Sequence, residues 1–104
     1  MFYILNDRGE PERCSDVLQW AEWFERSADQ RVVAQADVDG VLVSTVFLGV
    51  DHAIGGHPSL WETMVFGGRH DGRQWRYGAL EEALVGHAWA VTFVSRGMAE
   101  ATDE

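Results

Sequence analysis

Seven residues in two short stretches have side chains that could bind a ligand or carry out chemistry. The first stretch, residues 51–62, contains carboxylates, imidazoles and an indole, and the second adds a guanidinium and a phenol. Two histidines and two carboxylates can hold a divalent metal ion. An arginine can bind a carboxylate or a phosphate through two parallel hydrogen bonds, and aromatic rings can stack on a base. The seven candidates are Asp51, His52, His57, Trp61, Glu62, Arg76 and Tyr77.

The spacing of the candidates argues against a metal site. Asp51 and His52 are adjacent, and His52 and His57 are separated by the four residues of a glycine-containing loop. A motif such as HExxH places both imidazoles on one face of a helix, and the chain has no such motif. We therefore expect neither a metal nor a cofactor. A metal-dependent hydrolase that uses Asp51, His52 and Glu62 is kept as an alternative.

The same loop suits an anionic ligand. Gly55 and Gly56 would let backbone N–H groups approach the ligand, and Arg76 would contribute a cation. The N-terminus of the following helix would add a partial positive charge. A plainer interpretation is that Gly55, Gly56 and Pro58 only shape a turn, while Asp51 accepts hydrogen bonds from the backbone. The residues alone leave both interpretations open.

Hydrophobic periodicity predicts one α+β domain, residues 1–97, with the element order β-α-β-β-β-β-α. We expect a small antiparallel sheet with both helices packed on one face. Ser15 or Asp16 would cap the first helix, and Gly97 would end the second. Residues 98–104 would form an acidic flexible tail. The predicted strands are Met1–Asn6, Arg31–Val38, Val41–Val50, Trp61–Phe66 and Arg73–Tyr77, and the predicted helices are Val17 to about Ser27 and Leu80–Ser95.

Two Asp-Gly pairs predict hairpin turns, Asp39-Gly40 and Asp71-Gly72, each at the tip of its hairpin. If Val38 opposes Val41 at the first turn, one face of the sheet is uniformly suited to the core, and the other face mixes polar and apolar residues. A partner or a second subunit would cover part of that mixed face. The expected core face carries Val32, Ala34, Ala36, Val38, Val41, Val43, Thr45 and Phe47.

The second helix is apolar on nearly every side, with Trp89 and Phe93 on its flank. Such a helix is either deeply buried or contacts another subunit, so a homodimer is expected. His87 lies on the core stripe of this helix. We expect it to be a buried, hydrogen-bonded core histidine rather than a catalytic base.

Topology determines which candidates can meet. In an antiparallel meander, the loop from Val50 to Leu60 lies at the same edge as the end of the last strand, where Arg76 and Tyr77 occur. His70 would lie at the opposite edge, about 20 Å away. The parity of the second hairpin predicts that Glu62 shares a face with Tyr77 and that Arg76 lies on the other face. No Glu62–Arg76 ion pair is therefore expected.

Composition excludes several classes of function. Seventeen acids against eight bases, all of them arginine, give a net charge of -9, which argues against direct binding of nucleic acid. An acidic surface can instead imitate nucleic acid towards a basic protein, or it can simply maintain solubility. The single Cys14 excludes an intramolecular disulfide. The N-terminus lacks a signal-peptide pattern and no run is long enough to span a membrane, so we expect a cytoplasmic protein.

Four motifs carry a resemblance to a known group of proteins: VSTVFLGVDH (43–52), WETMVFGG (61–68), QWRY (74–77) and GH (86–87). Together they resemble a family of small proteins of unassigned function that phages and prophages encode. The family often has Ser-Thr where this chain has Gly78-Ala79, and Gly-Pro-Pro where it has GGHPS. The resemblance implies an accessory factor that acts in the host cytoplasm, and it implies no catalytic role.

These observations predict a small non-catalytic accessory protein, of the anti-defence type, that binds a small anionic, nucleotide-like signal or a host protein. One alternative is an acidic mimic of nucleic acid that inhibits a host nucleic-acid-binding protein, as an anti-CRISPR protein does. The other alternative is the hydrolase based on Asp51, His52 and Glu62.

Overall fold

The structure is a computed structural model that describes residues 1–51 and 57–102, with side chains as far as residue 97. Within these residues, strands and helices form one two-stranded and one four-stranded antiparallel sheet. The α+β class is therefore confirmed. The elements are β1 (Phe2–Leu5), β2 (Pro11–Cys14), α1 (Val17–Arg26), α2 (Ala28–Arg31), β3 (Val32–Val38), β4 (Val41–Phe47), β5 (Trp61–Phe66), β6 (Gln74–Tyr77) and α3 (Leu80–Thr102).

The first part of the chain contains a strand that the sequence did not predict. β2 pairs antiparallel with β1, from Phe2 opposite Cys14 to Leu5 opposite Pro11. Its residues are mostly exposed and polar, so they show no alternation of apolar and polar positions. The predicted cap of α1 is present, because the Asp16 carboxylate accepts hydrogen bonds from the N–H groups of Leu18 and Gln19 at 3.0 and 3.3 Å.

The four-stranded sheet is a meander in the order β3-β4-β5-β6. Its first hairpin is as predicted: Val38 opposes Val41, and Asp39 and Gly40 both have positive φ, 50° and 89°. The expected core face is correct except at its start. The register shifts between Val32 and Ala34, so Val32 pairs with Val46 on the uncovered face of the sheet.

One face of this sheet carries the core. α3 contacts all four strands there, and Trp23 brings α1 onto the same face by packing against Phe47 at 6.1 Å between ring centroids. Both predicted helices therefore contribute to the core on one face. The buried residues form two clusters, the first of Trp23, Phe47, Leu60, Trp61 and Ala83 and the second of Val41, Val43, Val65, Ala90 and Val94.

The second predicted helix is longer than the sequence indicated. The prediction that it ends at Ser95 with Gly97 as a stop was wrong, since α3 continues to Thr102. A side-chain carbon at Gly97 would lie 3.0 Å from Nε2 of His70, so this glycine gives room to a ring from the β5–β6 connection. In the described ranges, no helix has both the length and the apolar character that a transmembrane segment requires.

The register predicted for β5 and β6 was also wrong. Glu62 directly opposes Arg76, and Trp61 opposes Tyr77. The Asp71 carboxylate accepts a hydrogen bond from the N–H of Gly67 at 2.6 Å, so Asp71 folds the turn back on itself instead of forming its tip. In this longer turn the N–H of Val65 donates to the carbonyl of Arg73, so the pairing is one position away from a register in which Phe66 opposes Arg73.

Candidate functional site

The segment before β5 lies beside the end of β6, as the topology predicted. The N–H of Leu60 donates to the carbonyl of Tyr77 at 3.0 Å. The N–H of Ser59 donates to the Asp51 carboxylate at 3.3 Å, so Asp51 accepts a backbone hydrogen bond as the plainer interpretation proposed. His52, Gly55 and Gly56 lie outside the described residues.

The sheet separates the candidates of β5 and β6 onto two faces. Trp61 is on the core face with an exposed fraction of 4%, and its ring lies 5.4 Å from that of Phe47. It is a core residue with no free face for stacking on a base. Tyr77 is on the same face but only half-buried. Glu62 and Arg76 are on the opposite face, so these four residues do not converge on one ligand.

Glu62 and Arg76 form the ion pair that the predicted register excluded. Nε of Arg76 lies 2.9 Å from Oε2 of Glu62, and the side chains are 42% and 11% exposed. The guanidinium therefore already has a carboxylate partner. An anionic ligand at Arg76 would have to compete with that partner.

His57 lies at a different position, near the start of α3. It lines a cavity of about 480 Å³ together with Pro58, Ser59, Gly78 and Glu82. Across residues 1–51 and 57–102, the structure shows no group of three or more His, Cys, Asp or Glu side chains placed to hold a metal ion. The hydrolase alternative also depends on His52, which lies outside that range, so it stays a prediction.

A larger concavity lies between the edge strand β6 and the N-terminal half of α3. We call it the β6–α3 groove. Its volume is about 690 Å³, within the range of ligand sites in proteins. Aromatic and aliphatic side chains supply most of its surface, and two carboxylates lie among them. It is lined by Trp75, Tyr77, Glu81, Glu82, Val85, Gly86 and Trp89.

Local sequence accounts for the shape of the groove. Trp75 and Tyr77 are two residues apart in β6, so both side chains point to the α3 side of the sheet. A side-chain carbon at Gly86 would overlap the Tyr77 ring, so the missing side chain allows that ring to lie against the helix. Trp89 follows Gly86 by nearly one turn and meets Trp75 edge to face, with centroids 5.3 Å apart. Trp89 remains 53% exposed and is available to a ligand.

The charges at the groove are negative. Glu81 and Glu82 occupy the first turn of α3, where they also interact favourably with the helix dipole. In the described part of the chain, neither forms an ion pair. The adjoining aromatic cluster already packs against a cation, because the guanidinium carbon of Arg73 lies 5.7 Å from the Trp75 ring and 5.3 Å from the Phe93 ring.

A chain of hydroxyl groups holds Tyr77 in place beneath the groove. The Tyr77 hydroxyl donates to Thr63 at 3.1 Å, the Thr63 and Thr45 hydroxyls are 2.5 Å apart, and Thr45 lies 2.7 Å from Nδ1 of His87. Each hydroxyl can donate once if Nδ1 of a neutral His87 accepts the last hydrogen bond. Burial lowers the pKa of His87, which favours that neutral form. The predicted hydrogen bonding of His87 is confirmed, but the residue is half-buried instead of buried.

Most of the groove was not predicted from the sequence. Tyr77 was among the candidate ligand-binding residues, but Trp75 was only placed in a strand, and Trp89 was assigned to burial or a subunit contact. The available signal was Gly86, since a glycine inside a helix often marks a close approach by another side chain. Only the fold shows that the approaching ring belongs to Tyr77.

No protein-family model, curated protein or solved structure matches the chain. The likeness to phage and prophage proteins therefore stays a prediction from the four motifs.

Proposed function

We propose that the protein is a small non-catalytic binding protein and that its β6–α3 groove holds an apolar segment of a partner protein with a basic side chain. The observation that carries this proposal is the combination of one exposed and two half-buried aromatic rings with carboxylates in one groove. The phage resemblance supports placing that partner in the host. An accessory, anti-defence role is the biological context that we propose for it.

The lining of the groove favours an apolar segment over a free nucleotide. Trp75, Val85 and Trp89 offer apolar surface, and large aromatic side chains dominate the energetics of many protein contacts. Among the described residues, neither a lysine nor an arginine lines the groove. A phosphate would therefore meet carboxylates instead of the cations it requires.

The same charges favour a cation on the ligand. Glu81 and Glu82 can pair with a guanidinium or an ammonium group. The indole rings attract a cation through their negative faces, by about 0.5–1 kcal/mol at an exposed site. The chain itself carries a net charge of -9, which would accelerate the encounter with a basic partner.

The binding of a small anionic signal has less support in the described residues. Arg76, which was expected to bind the anion, pairs with Glu62 on the opposite face of the sheet. The nucleic-acid mimic and the hydrolase also stay predictions. ATP is therefore tested beside the cationic peptides, so that both kinds of ligand are compared on the same protein.

The proposal can be tested with two short peptides and ¹⁵N-labelled protein. Acetyl-Leu-Arg-Leu-amide should shift the indole N–H signals of Trp75 and Trp89 in a saturable manner, because those rings would contact the peptide. The matched peptide acetyl-Leu-Gln-Leu-amide should bind more weakly. Glu82→Gln should lower the affinity for the arginine peptide about two- to fivefold, as expected for the loss of one exposed ion pair. Trp89→Ala should abolish measurable binding.

Glu25→Gln provides the matched control, because it removes the same charge from an exposed position on α1, away from the groove. This variant should bind the arginine peptide as the parent protein does. Equal affinity for the two peptides would contradict the proposed role of the carboxylates. Saturable binding of ATP without binding of either peptide would favour the anionic ligand and overturn the proposal.

A further inference from the structure

The outward side of α3 carries a continuous exposed strip that the fold leaves uncovered. Its members recur every three or four residues, on the side opposite Ala83, Ala90 and Val94, which pack on the sheet. Val85 in this strip is 73% exposed, the neighbouring Leu84 is 48% exposed, and both are apolar. The strip, which we call the outer face, consists of Glu81, Val85, Ala88, Thr92 and Arg96.

The polar residues in the middle of α3 do not make this face hydrophilic. The Thr92 hydroxyl donates to the carbonyl of Ala88 at 3.2 Å, and the Ser95 hydroxyl donates to that of Val91 at 2.8 Å. Their hydrogen bonds are thus satisfied inside the helix. Ala88 and Thr92 are also small, which allows another helix to come close.

The two halves of the outer face differ in shape. In the N-terminal half, Val85 projects into solvent. The C-terminal half is concave, with a depression of about 330 Å³ lined by Ala88, Trp89, Thr92, Phe93 and Arg96. In a two-fold symmetric contact the same surface of each copy contacts the other copy. Each copy must therefore carry both the projection and the depression that accepts it.

We propose that the outer face binds the outer face of a second copy of this chain, with the two α3 helices antiparallel. A two-fold axis between Ala88 and Trp89 would place Val85 of one copy opposite Thr92 of the other. Glu81 would then lie opposite Arg96, since the two are equally far from the axis in sequence. The projecting valine would enter the depression of the partner copy, and this would occur twice.

Charge decides the direction of the pairing. In the antiparallel arrangement, both ends of the contact pair a carboxylate with a guanidinium. A parallel arrangement would instead place Glu81 beside Glu81 and Arg96 beside Arg96, which is repulsive at both ends. Within the described residues, neither Glu81 nor Arg96 has an ion pair in its own copy.

The dimer goes beyond the proposed function and uses the outward side of the helix, which shares Glu81 and Val85 with the rim of the groove. Glu82 and Gly86 lie on the flank of α3 that faces β6, whereas the outer face is turned away from the sheet. The partner copy would lie along the groove without filling it. Glu81 and Val85 would be engaged by the dimer, and Glu82, Trp75 and Trp89 would remain at the groove for a ligand.

Analytical ultracentrifugation measures the dimer directly. The contact spans about four helical turns and is smaller than a standard protein interface, so we expect a dissociation constant in the micromolar range. At about 100 μM protein the mass should approach twice the 11.7 kDa of the chain. Glu81→Arg and Arg96→Glu should each weaken the dimer about tenfold, because each places like charges together at both ends.

The double variant Glu81→Arg/Arg96→Glu restores opposite charges at both ends and should recover most of the lost affinity. Glu25→Arg makes the same charge change on α1 and should leave the dimer intact. Val85→Asp should yield a monomer, with its fold checked by circular dichroism. A parent protein that is monomeric at 100 μM, or a dimer that Glu81→Arg and Val85→Asp leave unchanged, would overturn the proposal.

Discussion

His87 links the stability of the protein to pH. Burial lowers its pKa in the folded state below the ordinary value of 6.5. The unfolded chain therefore binds a proton more readily than the folded one. The stabilisation is fully present above pH 6.5, and it decreases as the pH falls from there towards the folded-state pKa. Urea unfolding of the parent protein should show this decrease in the free energy of unfolding.

The variant His87→Gln isolates the contribution of this residue. It should be less stable at neutral pH, because it changes the hydrogen bond to Thr45, and it should lose the part of the pH dependence that begins near 6.5. His57→Gln is the control, since His57 is exposed and lines a cavity outside the core. The same pH dependence in parent and His87→Gln proteins would show that His87 is not its source.

Individual residues were predictable where their role is local. Ser15 or Asp16 was predicted to cap the first helix from its position before an amphipathic run, and the structure shows that the cap is Asp16. Trp61 was not predictable in this way. An indole in a strand can face the core or a ligand, and only the packing of Phe47 against it decides between the two. The residue type alone therefore overstated the number of ligand-binding groups.

Among the elements, the β5–β6 hairpin shows how one side chain changes a prediction. The Asp39-Gly40 hairpin was correct because a two-residue turn fixes its own register. The second hairpin has the same Asp-Gly pair, but the Asp71 carboxylate binds the backbone at Gly67 and makes a longer turn. The register that results places Arg76 directly opposite Glu62 on one face of the sheet, where the two side chains form an ion pair.

A double-mutant cycle can measure what this ion pair contributes to the edge strand. Arg76→Ala should lower the free energy of unfolding by about 1 kcal/mol, since it leaves the mostly buried Glu62 without its cation. The coupling free energy between Arg76→Ala and Glu62→Gln should be about 0.5–1 kcal/mol, because the guanidinium is 42% exposed and solvent weakens the attraction.

Gln74, the neighbour of Arg76 on the same face of β6, supplies the control for the cycle. Gln74→Ala should show no coupling with Glu62→Gln, since it removes side-chain volume without removing the cation. Additive effects of Arg76→Ala and Glu62→Gln would mean that the two charges do not stabilise each other.

α3 has three different surfaces along one helix. Ala83, Ala90 and Val94 pack on the sheet, Gly86 and Trp89 border the groove, and the outer face is exposed. This explains why its sequence is apolar on nearly every side and yet the helix is not enclosed. The apolar character was evident from the sequence, but dividing it among core, groove and outer face required the position of the sheet.

For the molecule as a whole, the α+β class was predictable because periodicity distinguishes strands from helices. The groove was not, because it exists only where α3 approaches β6. Its two sides, represented by Trp75 and Trp89, belong to separate elements, and neither has a recognisable motif. Tertiary contacts of this kind cannot be obtained from local pattern.

Trp23 joins the N-terminal elements to the sheet, and its loss should destabilise the whole molecule. It is 6% exposed and belongs to the cluster that contains Phe47 and Trp61. Trp23→Ala should cost about 3–5 kcal/mol, a large part of the roughly 5–15 kcal/mol that stabilises a typical domain. The midpoint of urea unfolding should shift to a much lower urea concentration, with circular dichroism and tryptophan fluorescence changing together.

Leu18→Ala, at an exposed position of α1, is the control and should have little effect on stability. Trp23→Ala could instead unfold α1 while the four-stranded sheet kept its stability. That result would make β1, β2 and α1 a separate cooperative unit, contrary to the shared cluster that contains Trp23 and Phe47.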